Sequence, residues 1–319
     1  MRKYNYVIFG SSWDLYMYSY SDLFGLDDVQ YISDMKLHSN LLYRICFGKM
    51  NQLFSVPFKS LWNPFFYNDK FQNERPICFV FFAHWYEIAK TTGFISYLRN
   101  KYTDSKIVIF FQDLVSTHPG ILDSLEEVDL LFSFDQGDAD KYNFLYHPLV
   151  FSKYKESLNT NPSVDVYFLG KPKNRYEDII ETVDLLYSEG LKLDINIVGV
   201  PTIRQERKSI IKYIDTMPYL ENLMHINNSK CVLEVMQKGG TGLTQRGVEI
   251  VGLNKKLLTN NPLIHNAPFY NPKYISQFTK PEDIDTEFLS NIKNNEVVDY
   301  HYQENVSPIE FINHIDSCL

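Results

Sequence analysis

Apolar residues in this chain fall in short, nearly unbroken runs separated by longer segments of helical spacing. In the N-terminal half the runs are Tyr6–Phe9, Ile77–Phe82, Lys106–Phe111 and Val128–Ser133. Trp13–Phe24 and Tyr86–Lys101 carry the helical pattern between them. Continuously apolar strands spaced by helices predict a parallel sheet covered on both faces. The second half repeats the scheme. Val164–Leu169, Leu193–Val198, Cys231–Val235 and Lys256–Leu258 read as strands. Tyr176–Ser188, Ile203–Ile214, Tyr219–Asn227 and Gln245–Val251 read as helices. The polar, lysine-rich stretch Val150–Pro162 reads as a crossover linker, and Pro308–Cys318 as a helix returning to the first domain.

Length agrees with that division. A chain of 319 residues suits two domains of about 150 residues each. The expected class is therefore α/β, with two Rossmann-like domains facing a central cleft: residues 1–155, residues 156–300, and a C-terminal segment 301–319 crossing back. In such sheets ligands bind beyond the carboxyl ends of the strands. The candidate chemistry is sought there.

One stretch stands out, Lys238 to Asn261, KGGTGLTQRGVEIVGLNKKLLTNN. Gly239, Gly240 and Gly242 lack Cβ, so backbone amides can approach a ligand closely. The helix that follows points unpaired N–H groups and its positive dipole end at whatever binds. Arg246 adds a planar cation suited to phosphate oxygens, and Glu249 lies one turn on along the same face, where a ribose or sugar hydroxyl is a fitting partner. The same pair also makes an ordinary helix ion pair. After the strand Val164–Leu169 comes a second basic turn, Gly170-Lys171-Pro172-Lys173-Asn174-Arg175. Two basic or amide-rich turns on one sheet edge suit a diphosphate better than one.

In the first half, acid–base candidates follow the strands. Asp14 comes after Gly10-Ser11-Ser12, His84 after ICFVFFA, and Asp113 and His118 after KIVIFF. Asp113 is preferred as the general base, with His84 and Asp14 beside it; strand-end Asp and His also serve as helix caps. His147 before Pro148 reads equally as a structural histidine. Asp138-Ala139-Asp140 has the DxD form of a metal–diphosphate ligand, but at a helix start an acid pair also complements the dipole.

Charge and motifs narrow the field. A net charge of −8 argues against a nucleic-acid partner. Four cysteines without a CxxC indicate neither a zinc site nor a disulfide framework. The absence of GxxxxGK[ST], of GxGxxG after the first strand, of GxSxG and of HExxH removes the usual triphosphatase, dinucleotide, serine hydrolase and zincin readings. The N-terminus begins directly on a strand and no apolar run reaches about 20 residues, so a cytoplasmic protein is expected. Much of the content of 23 Tyr and 23 Phe must pack in cores, while Tyr in such numbers also suits a polar cleft. From Met35 to Asn68 there is no acid, while Lys36, Arg44, Lys49 and Lys59 alternate with bulky apolar residues. That reversal marks residues 35–68 as a surface for the inner face of a membrane, or as aromatics packed on the sheet with solvated bases.

Taken together, FLGKPKNRYEDI, GGTGLTQRGVEIVGLNKKLLTNN and VDLLFSFDQGDADKYNFLYHPLVFS make the chain resemble two-domain, GT-B-type glycosyltransferases of bacterial surface-polysaccharide synthesis (capsule, lipopolysaccharide, exopolysaccharide). The resemblance implies a nucleotide-sugar donor on the second domain and a glycan or lipid-linked acceptor on the first. It implicates Gly170, Lys171, Arg175, Gly240, Gly242, Leu243, Thr244 and Arg246 at the diphosphate and Glu249 at the ribose. It also implies no metal and no further cofactor. Many retaining members carry a second glutamate eight positions earlier; here that position is Thr241, which favours an inverting, base-assisted displacement. A transferase using a non-nucleotide donor such as a phosphoribosyl compound, a sugar-nucleotide epimerase and a non-catalytic partner protein are the alternatives.

Overall fold

The computed structural model describes residues 2–34, 61, 63–237 and 242–319. It divides into two compact units, Met1–Val150 with Pro308–Leu319, and Phe151–Ser307. Residues 35–60, 62 and 238–241 lie outside the described residues. Most of the proposed membrane-facing segment and Gly239 and Gly240 are therefore outside it.

The first unit contains β1 (Asn5–Gly10), α1 (Asp14–Ser19), β2 (Val29–Ser33), α2 (Asn63–Phe66), β3 (Ile77–Phe82), α3 (Ala83–Thr91), α4 (Phe94–Lys101), β4 (Lys106–Phe111), β5 (Leu130–Ser133), α5 (Gln136–Tyr142) and β6 (Leu145–Tyr146). Its six strands run parallel in the order β2-β1-β3-β4-β5-β6. β1 and β3 are buried along their whole length, as their unbroken apolar runs require. One face carries Phe9, Phe79, Phe81, Trp85 and Phe94, with Phe9 and Phe81 stacked at 4.6 Å. Much of the high aromatic content is therefore core.

The second unit contains β7 (Val164–Gly170), α6 (Tyr176–Ser188), β8 (Leu193–Val198), β9 (Ile211–Ile214), α7 (Tyr219–Asn227), β10 (Ser229–Glu234), α8 (Gln245–Leu253), β11 (Lys256–Thr259), β12 (Ile275–Gln277) and α9 (Thr286–Ile292). Its parallel order is β12-β11-β10-β7-β8-β9. α6 shows why the period works: Ile179, Val183 and Leu186 recur on one buried face. The last helix, α10 (Pro308–Cys318), belongs to the first unit. Phe311 packs on Phe110 at 4.6 Å, and Tyr6 donates a 2.7 Å hydrogen bond to Asp316.

Four sequence expectations change. Tyr86–Lys101 is not one helix but two, α3 and α4, parted at Gly93, whose φ of 67° ends the first. Ile203–Ile214 is not a helix but a short turn, Thr202–Arg204, followed by β9, because the only clustered apolar residues there sit at its end. Trp13–Phe24 is helical only to Ser19, then tightens into a 3-10 turn over Ser21–Leu23. The stretch from Val150 is not a solvated linker at its start: Val150, Phe151 and Ser152 are buried. Phe151 lies so close to Gly252 in α8 that any Cβ there would sit 2.2 Å from the ring.

In each sheet the chain first lays strands to one side and then returns to the other side of its starting strand. The reversal falls between β1 and β3 in the first unit and between β7 and β10 in the second. Helices leave in opposite directions at such a point and open a crevice beyond the strand ends.

Candidate functional site

At the β7/β10 reversal the second unit gathers charge. Arg246, in the first turn of α8, is 16% exposed and donates to Glu249 Oε2 at 2.7 Å, to Asn222 Oδ1 at 3.3 Å and to the Leu169 carbonyl at 3.0 Å. Glu249 is buried, and its second oxygen meets Asn222 Nδ2 at 3.5 Å. Asn222 is in turn held by the Tyr167 hydroxyl at 3.0 Å. Burial pushes the Glu249 carboxyl above its ordinary range, opposed by the Arg246 charge and by the Tyr219, Arg246 and Asn222 hydrogen bonds. Glu249 thus sits beneath Arg246 and orients it; a ribose hydroxyl would have to displace those partners.

Arg175 reaches the same edge from the turn after β7. Its Nη2 donates to the Lys171 carbonyl at 3.3 Å and lies against Gly170, where an added Cβ would sit 3.3 Å from it. Its Nε is buried without a hydrogen-bond partner. Burial lowers its pKa; Glu234 opposes this and Arg246 adds to it. An orphaned guanidinium N–H carries a desolvation cost that an incoming acceptor would offset. Lys171 is exposed.

Glu234, at the end of β10, ties the loops together. One oxygen accepts from Thr244 Oγ1 and the other from Thr259 Oγ1 at 2.5 Å. Thr244 caps α8 by accepting the Arg246 N–H at 3.1 Å. Asn261 Nδ2 holds the Gly242 carbonyl at 3.2 Å. Leu243 folds its side chain onto Gly247, where an added Cβ would sit 2.5 Å from its Cδ1. Of the residues expected here, Gly170, Arg175, Thr244, Arg246 and Glu249 are brought to one strand-end edge. Gly240 is outside the described residues. Sequence reasoning missed Glu234, Asn222 and Thr259, whose polar side chains sit in otherwise apolar strands and helices and were legible as buried polar groups needing partners.

The opposite edge of this unit is also rich in lysine, to a different end. Lys255 donates to the Asn227 carbonyl at 2.7 Å, Lys256 to Asn291 at 2.7 Å and Lys230 to Lys293 at 2.7 Å. These carbonyls belong to the C-terminal ends of α7 and α9, where a cation complements the dipole. A cavity of about 170 Å³ opens beside them, but its lysines are committed to the helix ends.

In the first unit the β1/β3 reversal places Ser11 and Ser12 beside His84. The Ser12 N–H donates to Asp34 Oδ1 at 2.7 Å, and His84 Nε2 lies 3.7 Å from Asp34 Oδ2. Burial alone would raise the Asp34 pKa; the His84 and Ser12 partners outweigh it and hold the carboxyl down to about 2. His84 keeps 39% of its side chain exposed. Trp85, the next residue, is buried and donates to the Gly10 carbonyl at 2.8 Å, which locks the start of α3 to β1. Asp14 and Asp113 are exposed on the same edge. Asp34 was absent from the sequence candidates, although it also follows a strand.

The remaining candidates are engaged locally. His147 is buried, its Nδ1 2.7 Å from the Pro148 carbonyl, and burial lowers its pKa to about 4. Asp138 accepts the Val115 N–H at 2.7 Å and Asp140 the Gln136 amide at 2.7 Å, so the DxD triplet serves turn and helix geometry. No group of three His, Cys, Asp or Glu among the described residues is placed to hold a metal ion. None of the described helices is long and apolar enough to cross a membrane.

No family model and no curated protein sequence matches the chain. Similar solved structures include the DNA-modifying enzyme beta-glucosyltransferase, determined in the presence and absence of uridine diphosphoglucose (13% identity, TM-score 0.47, covering 98% of this chain and 95% of that one). Others are the glycosyltransferase SnogD from Streptomyces nogalater (8%, 0.45, 100% of both chains) and the spinosyn rhamnosyltransferase SpnG with spinosyn aglycone (10%, 0.40, 100% and 94%).

Proposed function

We propose that the chain is a glycosyltransferase that moves a sugar from a nucleoside-diphosphate donor to a hydroxyl acceptor. The observation that carries the reading is the pairing of Arg175 and Arg246 at the β7/β10 reversal, with the Arg175 Nε buried and unpartnered. A diphosphate is the common ligand that satisfies two guanidinium groups and a helix N-terminus together.

On this reading the donor diphosphate lies against Arg175, Arg246 and the backbone of Gly242–Thr244. Glu249 holds Arg246 in place rather than contacting the ribose. In the first unit His84, whose Nε2 lies 3.7 Å from Asp34 Oδ2, takes the proton of the acceptor hydroxyl. The acceptor oxygen attacks the anomeric carbon, the carbon–oxygen bond to the phosphate breaks, and the electron pair leaves with the diphosphate. This is an inverting displacement in which the arginines and the α8 dipole, without a metal, offset the leaving-group charge. His84 replaces Asp113 as preferred base because the Asp34 carboxylate lies 3.7 Å from its ring and favours the imidazolium that forms, whereas Asp113 is exposed. The sequence resemblance supplies the remainder of the proposal, a role in surface-polysaccharide synthesis beside the inner membrane face.

Isothermal titration with UDP, GDP and CDP, alone and with inorganic pyrophosphate as control, tests the donor site. Arg175→Ala should weaken the preferred diphosphate roughly tenfold or more, since a charge-assisted contact contributes about 1.5–3 kcal/mol. Undiminished affinity in the folded variant would remove Arg175 from the site, and binding of none of these ligands by the wild type would sink the donor reading.

A further inference from the structure

Trp13 is 71% exposed on the turn between β1 and α1, immediately after Ser11-Ser12. It is packed against a neighbouring ring. Its ring meets Tyr16 at 6.5 Å, Tyr16 meets Phe82 at 5.5 Å, and Phe82 meets His84 at 6.2 Å. One aromatic layer therefore carries both the exposed indole and the imidazole at the β1/β3 reversal. An anchored indole with a free face at a ligand edge is an apolar surface waiting for a flat partner.

Charge decides what that partner is. Among the described residues, the strand-end segments 11–14, 34, 83–87, 112–118 and 134–138 hold Asp14, Glu87, Asp113 and Asp138 at least partly exposed and Asp34 and Asp135 buried, and no lysine or arginine; Lys36, two residues after Asp34, lies outside the described residues. Ionised carboxylates accept hydrogen bonds from hydroxyls and repel phosphate or carboxylate groups. The strand-end segments of the second unit are mainly basic, with Lys171, Lys173, Arg175, Arg204 and Arg246 against the exposed acids Glu206 and Asp215. We infer that Trp13 is the stacking platform for an uncharged pyranose ring of the acceptor, and that the first unit discriminates against acceptors bearing an anion next to the reacting sugar. The inference rests on assigning the acceptor to the His84 edge. It sharpens "glycan or lipid-linked" to a neutral sugar terminus.

The test uses the full chain. Methyl β-glucopyranoside and methyl β-galactopyranoside are the neutral probes; methyl glucuronide and glucose 6-phosphate are the charged ones. Binding is read by saturation-transfer NMR with competition, and UDP binding is titrated separately on every variant. At least one neutral glycoside should bind better than both charged probes. Trp13→Ala should weaken it about tenfold, the scale of one aromatic stack, while Trp13→Tyr stays within about threefold. UDP affinity should be the same in all three proteins. Asp14→Asn should narrow the gap between glucuronide and glucoside. Equal glycoside binding by Trp13→Ala, charged probes that bind as well as neutral ones, or no glycoside binding in a protein that binds UDP would each overturn the inference. Loss of UDP binding alone would instead count against the donor reading and leave the Trp13 result standing.

Discussion

Glu249 and Arg246 form a double-mutant cycle that separates two roles for the acid. If Glu249 positions Arg246, changing either residue breaks the contact the two share. Removing one partner of a buried ion pair costs about 3–5 kcal/mol. Arg246 retains 16% exposure and two other acceptors, Asn222 and the Leu169 carbonyl. That places Glu249→Gln at the lower end, about 3 kcal/mol, and Arg246→Met near the same value. The double variant should then cost about 3–4 kcal/mol rather than 6, a coupling of about 2–3 kcal/mol. Hydrogen exchange of α7 and α8 amides in urea reads this in the second unit without assuming that the whole chain unfolds in one step. A binding arm completes the cycle. Glu249→Gln should weaken UDP and inorganic pyrophosphate by similar factors, because the loss passes through Arg246. A coupling below about 0.5 kcal/mol, with weakening confined to UDP, would return Glu249 to the ribose and refute the reasoning.

Other outcomes follow from the first unit. His84→Gln should lower the transfer rate about 10²–10⁴-fold while leaving UDP affinity unchanged, and Asp34→Asn should lower it less; a His84→Gln rate within about threefold of wild type moves the base elsewhere, with Asp113 next in line. His147 gives a pH effect of known sign. Its pKa falls from 6.5 unfolded to about 4 folded, so the stability it supports is full above pH 6.5 and declines as pH falls from there through 4. The 2.5-unit difference amounts to about 3 kcal/mol between those limits. Urea unfolding at pH 7 and pH 4 should show His147→Gln with the flatter profile, and parallel profiles would contradict a buried neutral imidazole.

Two parallel sheets were legible because β1, β3, β4, β7 and β8 are buried on both faces and so show as unbroken apolar runs. β2, β9 and β12 were not recognised. They lie at sheet edges, with partly exposed residues such as Gln30, Lys212 and Gln277, and their runs are short and mixed. The candidate site divides the same way. Arg246 and Arg175 stood out because a cation in a turn after a strand has a local signature. Asp34 and Glu234 did not, because their meaning depends on residues 50 and 25 positions away, His84 and Thr259, brought near only by strand order. Ser12 and Thr244 were visible as loop residues, but their role in fixing those carboxylates was not.

The first unit is interrupted in sequence: its sheet is finished by residue 150 and its last helix arrives only at 308. On the ribosome, β1, β4 and β5 therefore emerge long before Phe311 can cover Phe110 and Phe132. The intervening unit has its own core around Ile179, Ile195 and Leu233, so it can fold while the first waits. For the time needed to synthesise about 160 residues, roughly 10–30 s, the first sheet is left with an uncovered aromatic patch. During that interval the exposed aromatic surface is the kind that promotes aggregation.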